Sequence, residues 1–290
     1  MQSGGAMRRL LLLLFFLSPA ACMASRTLTD GIGRTVVVPE HPHKLICLAP
    51  SLVDDVYSLG AGSDVIAVSD FTLYPAEAAQ KPSIGAPLHP SLEKIVALHP
   101  DLVLGAGDIN HLPAIDQLVH YGIPVFMVDP HGIAGIHNSI LGLGRALNRN
   151  AEAATLLRDL QAREQSVRQR IQGKPAVRLF MPIWYDPIIT VGRHAFLTEL
   201  IEMAGGISIT RDLAQEWPQV SLEAILVRNP DALLLIKGSG ISLSALKTRP
   251  GWRALSAVRE RRVFYVDKRI ELPSPAAIYA MEDLANELHP

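Results

Sequence analysis

Three aromatic pairs are the residues of this chain best suited to hold a ligand: Tyr74-Pro75, Trp184-Tyr185 and Trp217-Pro218. Each falls at the end of a periodic run or in the loop beyond it, where a large ring lines a cleft more often than it fills a core. Packing at a core edge is the alternative for any one of them. Stacking and apolar contact with a broad ligand are the chemistry such rings offer. Bond-making chemistry has no comparable signal. Nucleophile-elbow and P-loop spacings are absent, and Gly142-Leu143-Gly144 is followed by Leu147 where a dinucleotide fingerprint needs its third glycine. Gly238-Ser239-Gly240 reads as a loop. Of ten histidines, His41, His43, His89, His111, His131 and His194 lie near predicted loops. No two stand four apart on a helix beside a Glu and no Cys supports them, so solvated loop histidines are expected rather than a metal site. A metal-dependent hydrolase would need them clustered. The expectation is a binding protein, not an enzyme, without a cofactor of its own.

Two carboxylates sit in a partial internal repeat. Ser91-Leu92-Glu93-Lys94-Ile95 runs on to Pro100-Asp101 and Leu104, and Ser221-Leu222-Glu223-Ala224-Ile225 runs on to Pro230-Asp231 and Leu234 at one fixed offset. In both, the Ser can cap a helix, the Glu falls in its first turn and Pro-Asp ends it before a buried strand. A first-turn Glu is worth about 0.3–1 kcal/mol against the helix dipole. The shared spacing exceeds what capping requires and implies two lobes of similar build.

These residues need a frame. Short β-rich runs at Thr35–Val38, Lys44–Leu48, Val65–Val68, Leu102–Leu104 and Val125–Val128 alternate with helical patterns at Leu52–Leu59, Leu92–Leu98 and His111–Tyr121. The alternation resumes with strands at Val177–Met181, Ile188–Val191, Leu233–Ile236 and Val263–Val266, and helices at Phe196–Met203, Leu222–Val227 and Ala276–Leu288. Parallel sheets covered by helices are predicted on both sides. Between them Ala153, Leu156, Leu157, Leu160, Val167 and Ile171 mark one face of a long helix from Asn150 to Gly173. Asn150 is its expected N-cap, Gly173-Lys174-Pro175 stops it, and Arg158, Arg163, Arg168 and Arg170 are expected to face water. The organisation expected is a signal peptide over 1–24, an N-terminal lobe over 25–135, a connecting segment with the long helix over 136–175, and a C-terminal lobe over 176–290.

Met7-Arg8-Arg9 followed by the apolar run Leu10–Leu17 reads as a secretory signal. Cys22 follows small residues as in a lipoprotein cleavage box, but Pro19 stands where such a box usually has Leu, so lipidation at Cys22 competes with cleavage after Ala20 or Ala24. The expected location is the periplasm or outside the cell, with a lipid anchor at Cys22 as one form. Cys47, in an apolar run, reads as a buried small side chain. A formal net charge of −1 with no basic stripe gives no reason to expect nucleic acid.

Asp30-Gly31-Ile32-Gly33-Arg34-Thr35-Val36, Leu45–Pro50-Ser51, Leu92–Leu98 with Pro100-Asp101-Leu102-Val103, and Ala204-Gly205-Gly206 resemble the substrate-binding proteins of bacterial ABC importers for cobalamin, iron siderophores and haem. The resemblance covers the whole mature chain. It implies an α/β fold of two Rossmann-like lobes with central, mostly parallel sheets, joined by a single long helix, with the ligand in the cleft between them. Glu93 and Glu223 match the paired glutamates that dock onto a membrane permease. Trp217-Pro218-Gln219-Val220-Ser221 and Tyr74-Pro75 are most similar to the cobalamin-binding members, where Tyr74 and Trp217 match ring-contacting positions. Glu271 matches a retained cleft residue, while Pro87, Lys268 and Leu272 stand where those members carry Trp, Asp and Arg. Trp184 and Tyr185 are expected to supply the missing aromatic area. The expected cargo is therefore a corrinoid, the expected partner an ABC permease, and the protein a monomer. The alternative is a haem or ferric-siderophore binder using His89, His194, Arg193 and Tyr185.

Overall fold

The computed structural model describes residues 24–107 and 109–290. The apolar run read as a signal sequence and Cys22 lie outside the described residues. The chain opens with an antiparallel hairpin, β1 (Ser25–Thr29) and β2 (Thr35–Pro39). The run at Thr35–Val38 thus joins a hairpin, not the parallel sheet. Then come β3 (Leu45–Cys47), α1 (Pro50–Ser58), β4 (Val65–Val68), a short pair β5 (Gly85–Ala86) and β6 (His89–Pro90), α2 (Leu92–Ala97), β7 (Leu102–Ala106), α3 (Leu112–His120) and β8 (Val125–Val128). Two helices follow, α4 (Gly132–Ala146) and α5 (Asn150–Ile171). The second half holds β9 (Val177–Phe180), a hairpin of β10 (Pro182–Tyr185) and β11 (Ile188–Thr190), α6 (Phe196–Met203), β12 (Gly206–Ser208), α7 (Leu222–Arg228) and β13 (Ala232–Ile236). It ends with α8 (Leu243–Thr248), α9 (Ser256–Arg259), β14 (Val263–Val266) and α10 (Pro275–Leu288).

The expected pair of parallel α/β lobes is borne out. One sheet has the order β4-β3-β7-β8 and the other β12-β9-β13-β14, all neighbours parallel. Position for position the two orders are the same, which gives the sequence repeat its structural counterpart. Asp101 and Asp231 do the same work in each copy. Asp101 Oδ2 accepts from the backbone N–H groups of His43 and Lys44 at 2.9 and 3.0 Å, and Asp231 Oδ2 from that of Arg178 at 3.0 Å. Each clamps the entry of the neighbouring central strand.

α5 runs as the periodicity requires, burying Ala153, Leu160 and Val167. Its details differ from expectation at two points. Arg149, not Asn150, holds the N-cap position, and Asn150 is the first helical residue. Glu164 is buried on the apolar stripe because His137 Nε2 of α4 lies 2.7 Å from its Oε1. Arg163, its side chain 39% exposed, also pairs with Glu282 of α10 at 2.7 Å and lies 4.9 Å over the Tyr279 ring. One apolar cluster runs from Leu45 and Leu52 through Ile140, Leu160 and Val167 to Leu179, Ile201 and Met281, so packing as well as the helix joins the lobes. Among the described residues no helix is long and apolar enough to cross a membrane.

Candidate ligand cleft and docking carboxylates

Because both sheets are parallel, their carboxyl edges gather the loops that follow the strands, the usual place for a ligand in such folds. A cavity of about 290 Å³ forms where two sets of these loops meet. Pro50, Phe71, Leu73 and Tyr74 come from the first lobe, and Asp267, Lys268, Arg269, Glu271 and Leu272 from the second. Phe71 and Leu73 are 76% and 68% exposed, an unusual clustering of large apolar side chains in water beside the half-exposed Tyr74. The facing wall is charged. Arg269 reaches across to lie 5.4 Å over the Tyr74 ring while its Nε donates to Asp267 Oδ1 at 2.9 Å. That bond holds the Asp267 carboxyl below its usual range and raises the guanidinium's affinity for its proton. Burial pushes the Glu271 carboxyl up, with Lys268 working against it.

Tyr74 and Glu271, both expected at the site, therefore line one cavity. Trp184 and Trp217 lie outside that cavity, on neighbouring segments of the second lobe. Trp184 pairs with Ile189 across the β10–β11 hairpin, and Ile189 bridges to Gln219, which lays the Trp217 segment along the hairpin. Both indoles stand about half exposed, Trp184 with its Nε1 donating to the Asp186 carbonyl at 2.9 Å. Tyr185 is half-buried on a second apolar cluster around Phe180 and Trp252. Its ring is shared between the Arg249 guanidinium, 3.5 Å from the centroid, and the parallel Trp184 ring at 5.8 Å. Tyr185 thus backs Trp184.

Three residues of the alternative set, Arg193, Tyr185 and His89, have other partners. Arg193 spends its guanidinium on the Arg211 and Asp212 carbonyls at 3.4 and 3.2 Å. His194 is exposed on the second lobe, and His89 stacks with His111 at 5.7 Å on the first. Sequence reasoning missed Phe71, Leu73 and Arg269. A visible signal for the first two was an apolar run, Phe71-Thr72-Leu73-Tyr74, set between the turn formers Asp70 and Pro75. It also missed Asn110, which is buried and ties three edge loops: its Oδ1 accepts from Ala106 N–H at 2.7 Å, and its Nδ2 donates to the Leu48 and Pro87 carbonyls at 3.2 and 2.9 Å. A larger cavity of about 590 Å³ lies under the first hairpin against Val119 and Val125. It opens at the amino edge of the sheet and has no aromatic wall.

Glu93 and Glu223 occupy matched places. Ser91 caps α2 by accepting from Lys94 N–H at 3.4 Å, and Ser221 caps α7 by accepting from Ala224 N–H at 3.2 Å. Both glutamates stand exposed in the first turn, and hydrogen bonds from its own backbone N–H and from Ser221 lower the Glu223 carboxyl.

Residues 45–270 match the family described as periplasmic binding protein. The chain belongs to that family. An uncharacterised ABC transporter substrate-binding lipoprotein, YvrC of Bacillus subtilis, is 29% identical to this periplasmic binding protein over 272 residues, covering 91% of this chain and 85% of that protein. The vitamin B12-binding protein of Pectobacterium carotovorum is 29% identical over 209 residues, 71% of this chain and 75% of its own. Solved structures share the fold. The vitamin B12-binding protein BtuF of Vibrio cholerae superposes with a TM-score of 0.73 at 24% identity over 85% of this chain and 96% of that one. The haem-binding protein RhuT from Roseiflexus gives 0.78 at 23% identity, with 85% and 98% covered. By their names these relatives and the structures that share the fold are binding proteins, not enzymes.

Proposed function

We propose that this periplasmic binding protein captures cobalamin or a related corrinoid between its lobes and delivers it to an ABC permease. The observation that carries this reading is the wall of Phe71, Leu73 and Tyr74, exposed to water at the carboxyl edge. A corrin is a broad, largely apolar macrocycle fringed with amides, and such walls suit it. The cavity seats one edge of the ring, and Trp184 and Trp217 extend the aromatic surface on the second lobe. Relatives named for vitamin B12 binding support the same cargo. In this reading residues 25–135 and 176–290 are the lobes, 136–175 the connector, and the exported protein acts as a monomer, free or anchored at Cys22. Glu93 and Glu223, one per lobe, are the docking contacts.

A second reading has one observation in its favour. Lys268 and Arg269 line the cavity, and haem or a siderophore would pair its carboxylates with them. Tryptophan fluorescence separates the two. Cyanocobalamin is expected to quench it saturably at one-to-one stoichiometry, and Trp217→Ala to weaken binding by about 1–3 kcal/mol, the scale of one aromatic anchor. No quenching by any corrinoid, together with a shifted absorption band on adding haemin, transfers the assignment to haem.

A further inference from the structure

Two carboxylates outside the cleft lining are placed alike in the two halves. Asp54 lies on α1, the helix after β3, and Glu199 on α6, the helix that follows β9 and its hairpin; β3 and β9 hold the same place in their sheets. Each carboxylate reaches to the helix that leaves the last strand of the other half. Asp54 Oδ2 accepts from the Ala276 N–H of α10 at 2.9 Å and from the Ser274 hydroxyl at 2.8 Å, both bonds buried. Glu199 Oε2 accepts from the Ile133 N–H of α4 at 3.1 Å. In both helices the donor is the second helical residue, after Pro275 in one and Gly132 in the other.

Neither helix caps itself. The Ser274 hydroxyl is directed to Asp54, and the His131 ring pairs with Asp129. Gly132 has φ +65°, and a Cβ there would stand 2.7 Å from Glu199 Oε2, so the close approach of the carboxylate requires glycine. A helix N-terminus leaves orphan N–H groups and favours a negative charge, which makes a carboxylate from another element an effective cap.

The Asp54 cap also touches the binding machinery. Pro50, at the start of α1, and Leu272, two residues before Ser274, both line the cleft cavity. We propose that Asp54 and Glu199 are positioning residues, a reciprocal pair of inter-lobe caps that sets the angle between the lobes and so the width of the cleft. The shared apolar core holds the lobes together without preferring a direction, whereas the caps are directional. Opening the cleft would strip a buried carboxylate of both its donors, a costly step.

The test needs no ligand. Spin labels at Val119→Cys on α3 and Val227→Cys on α7, both exposed, report the inter-lobe distance by pulsed electron resonance in a Cys22→Ser background with buried Cys47 left in place. The parent is expected to give one narrow distribution. Asp54→Ala and Glu199→Ala should each shift or broaden it by more than about 2 Å, the scale of a lobe rearrangement, and the double variant should do so further. Asp54→Asn and Glu199→Gln keep an acceptor oxygen and should stay close to the parent. Unchanged distributions in the folded alanine variants would overturn the proposal, as would amide variants as broad as the alanine ones. Should Asp54→Ala fail to fold, Glu199→Ala, which removes a single part-buried bond, decides alone.

Discussion

In the proposed function, Arg269 sets how much of Tyr74 a ligand can use. Its guanidinium already lies over that ring, held there by Asp267, so an incoming macrocycle must share the ring or displace the cation. An exposed contact of this kind is worth about 0.5–1 kcal/mol, so Arg269→Ala is expected to change corrinoid affinity by no more than about 1 kcal/mol, whereas Tyr74→Ala should weaken it by about 1–3 kcal/mol. A large loss on Arg269→Ala, measured by equilibrium dialysis of cyanocobalamin, would point instead to a ligand held by charge. Asp55 bears on stability. It is fully buried and its Oδ1 has no hydrogen-bond partner, and burial first, then the neighbouring Asp54, push its carboxyl well up. A carboxyl raised on folding favours the fold most below the ordinary carboxylate range, and that contribution is lost as pH rises through its raised value. Asp55→Asn should therefore stabilise the protein at pH 7, by about 1–3 kcal/mol if the whole desolvation cost is relieved, and change it little at pH 4. Urea unfolding at both values checks this, and equal destabilisation at both would refute it. At this scale the exposed placement of Tyr74, Trp184 and Trp217 was legible, because a large ring beside a loop signal is visible in one dimension. Arg269 was not, since nothing in a periodic pattern tells which loops of two lobes meet.

The repeated helices α2 and α7 separate local from external roles. Ser91 and Ser221 cap them, so Ser221→Ala should cost about 0.5–2 kcal/mol of stability in a thermal melt. Glu93 and Glu223 are exposed, and Glu93→Ala with Glu223→Ala should leave the melt nearly unchanged. The same pair is expected to weaken permease association by about 2–5 kcal/mol per contact, and transport into reconstituted vesicles with it. Transport at the parent rate in the double variant would remove the docking role. The repeat was readable because its Ser, Glu and Pro-Asp have fixed positions relative to helix ends. What Asp101 and Asp231 do was not, since their partners at His43, Lys44 and Arg178 are distant in the chain. α5 shows the same limit: its apolar stripe located the helix, but the buried Glu164 and the seated Arg163 depend on His137 and Glu282 of other helices.

Across the whole molecule, two sheets of identical order meet through α4, α5 and α10, and one apolar cluster passes between them. The alternation of strand and helix made the two lobes and the connecting helix legible, while the continuity of the core was hidden, because burial on α10 and α1 against each other has no sequence period of its own. A rigid helix and a shared core resist wide hinge closure, so binding is expected with small tilts of largely preformed walls. Calorimetric titration with cyanocobalamin, run beside haemin under the same conditions, tests the central claim most directly. The expected result is a single saturable site for the corrinoid at one-to-one stoichiometry, with a negative heat-capacity change from buried apolar surface and weaker or no binding of haemin. Saturable binding of haemin with no heat from any corrinoid would contradict it.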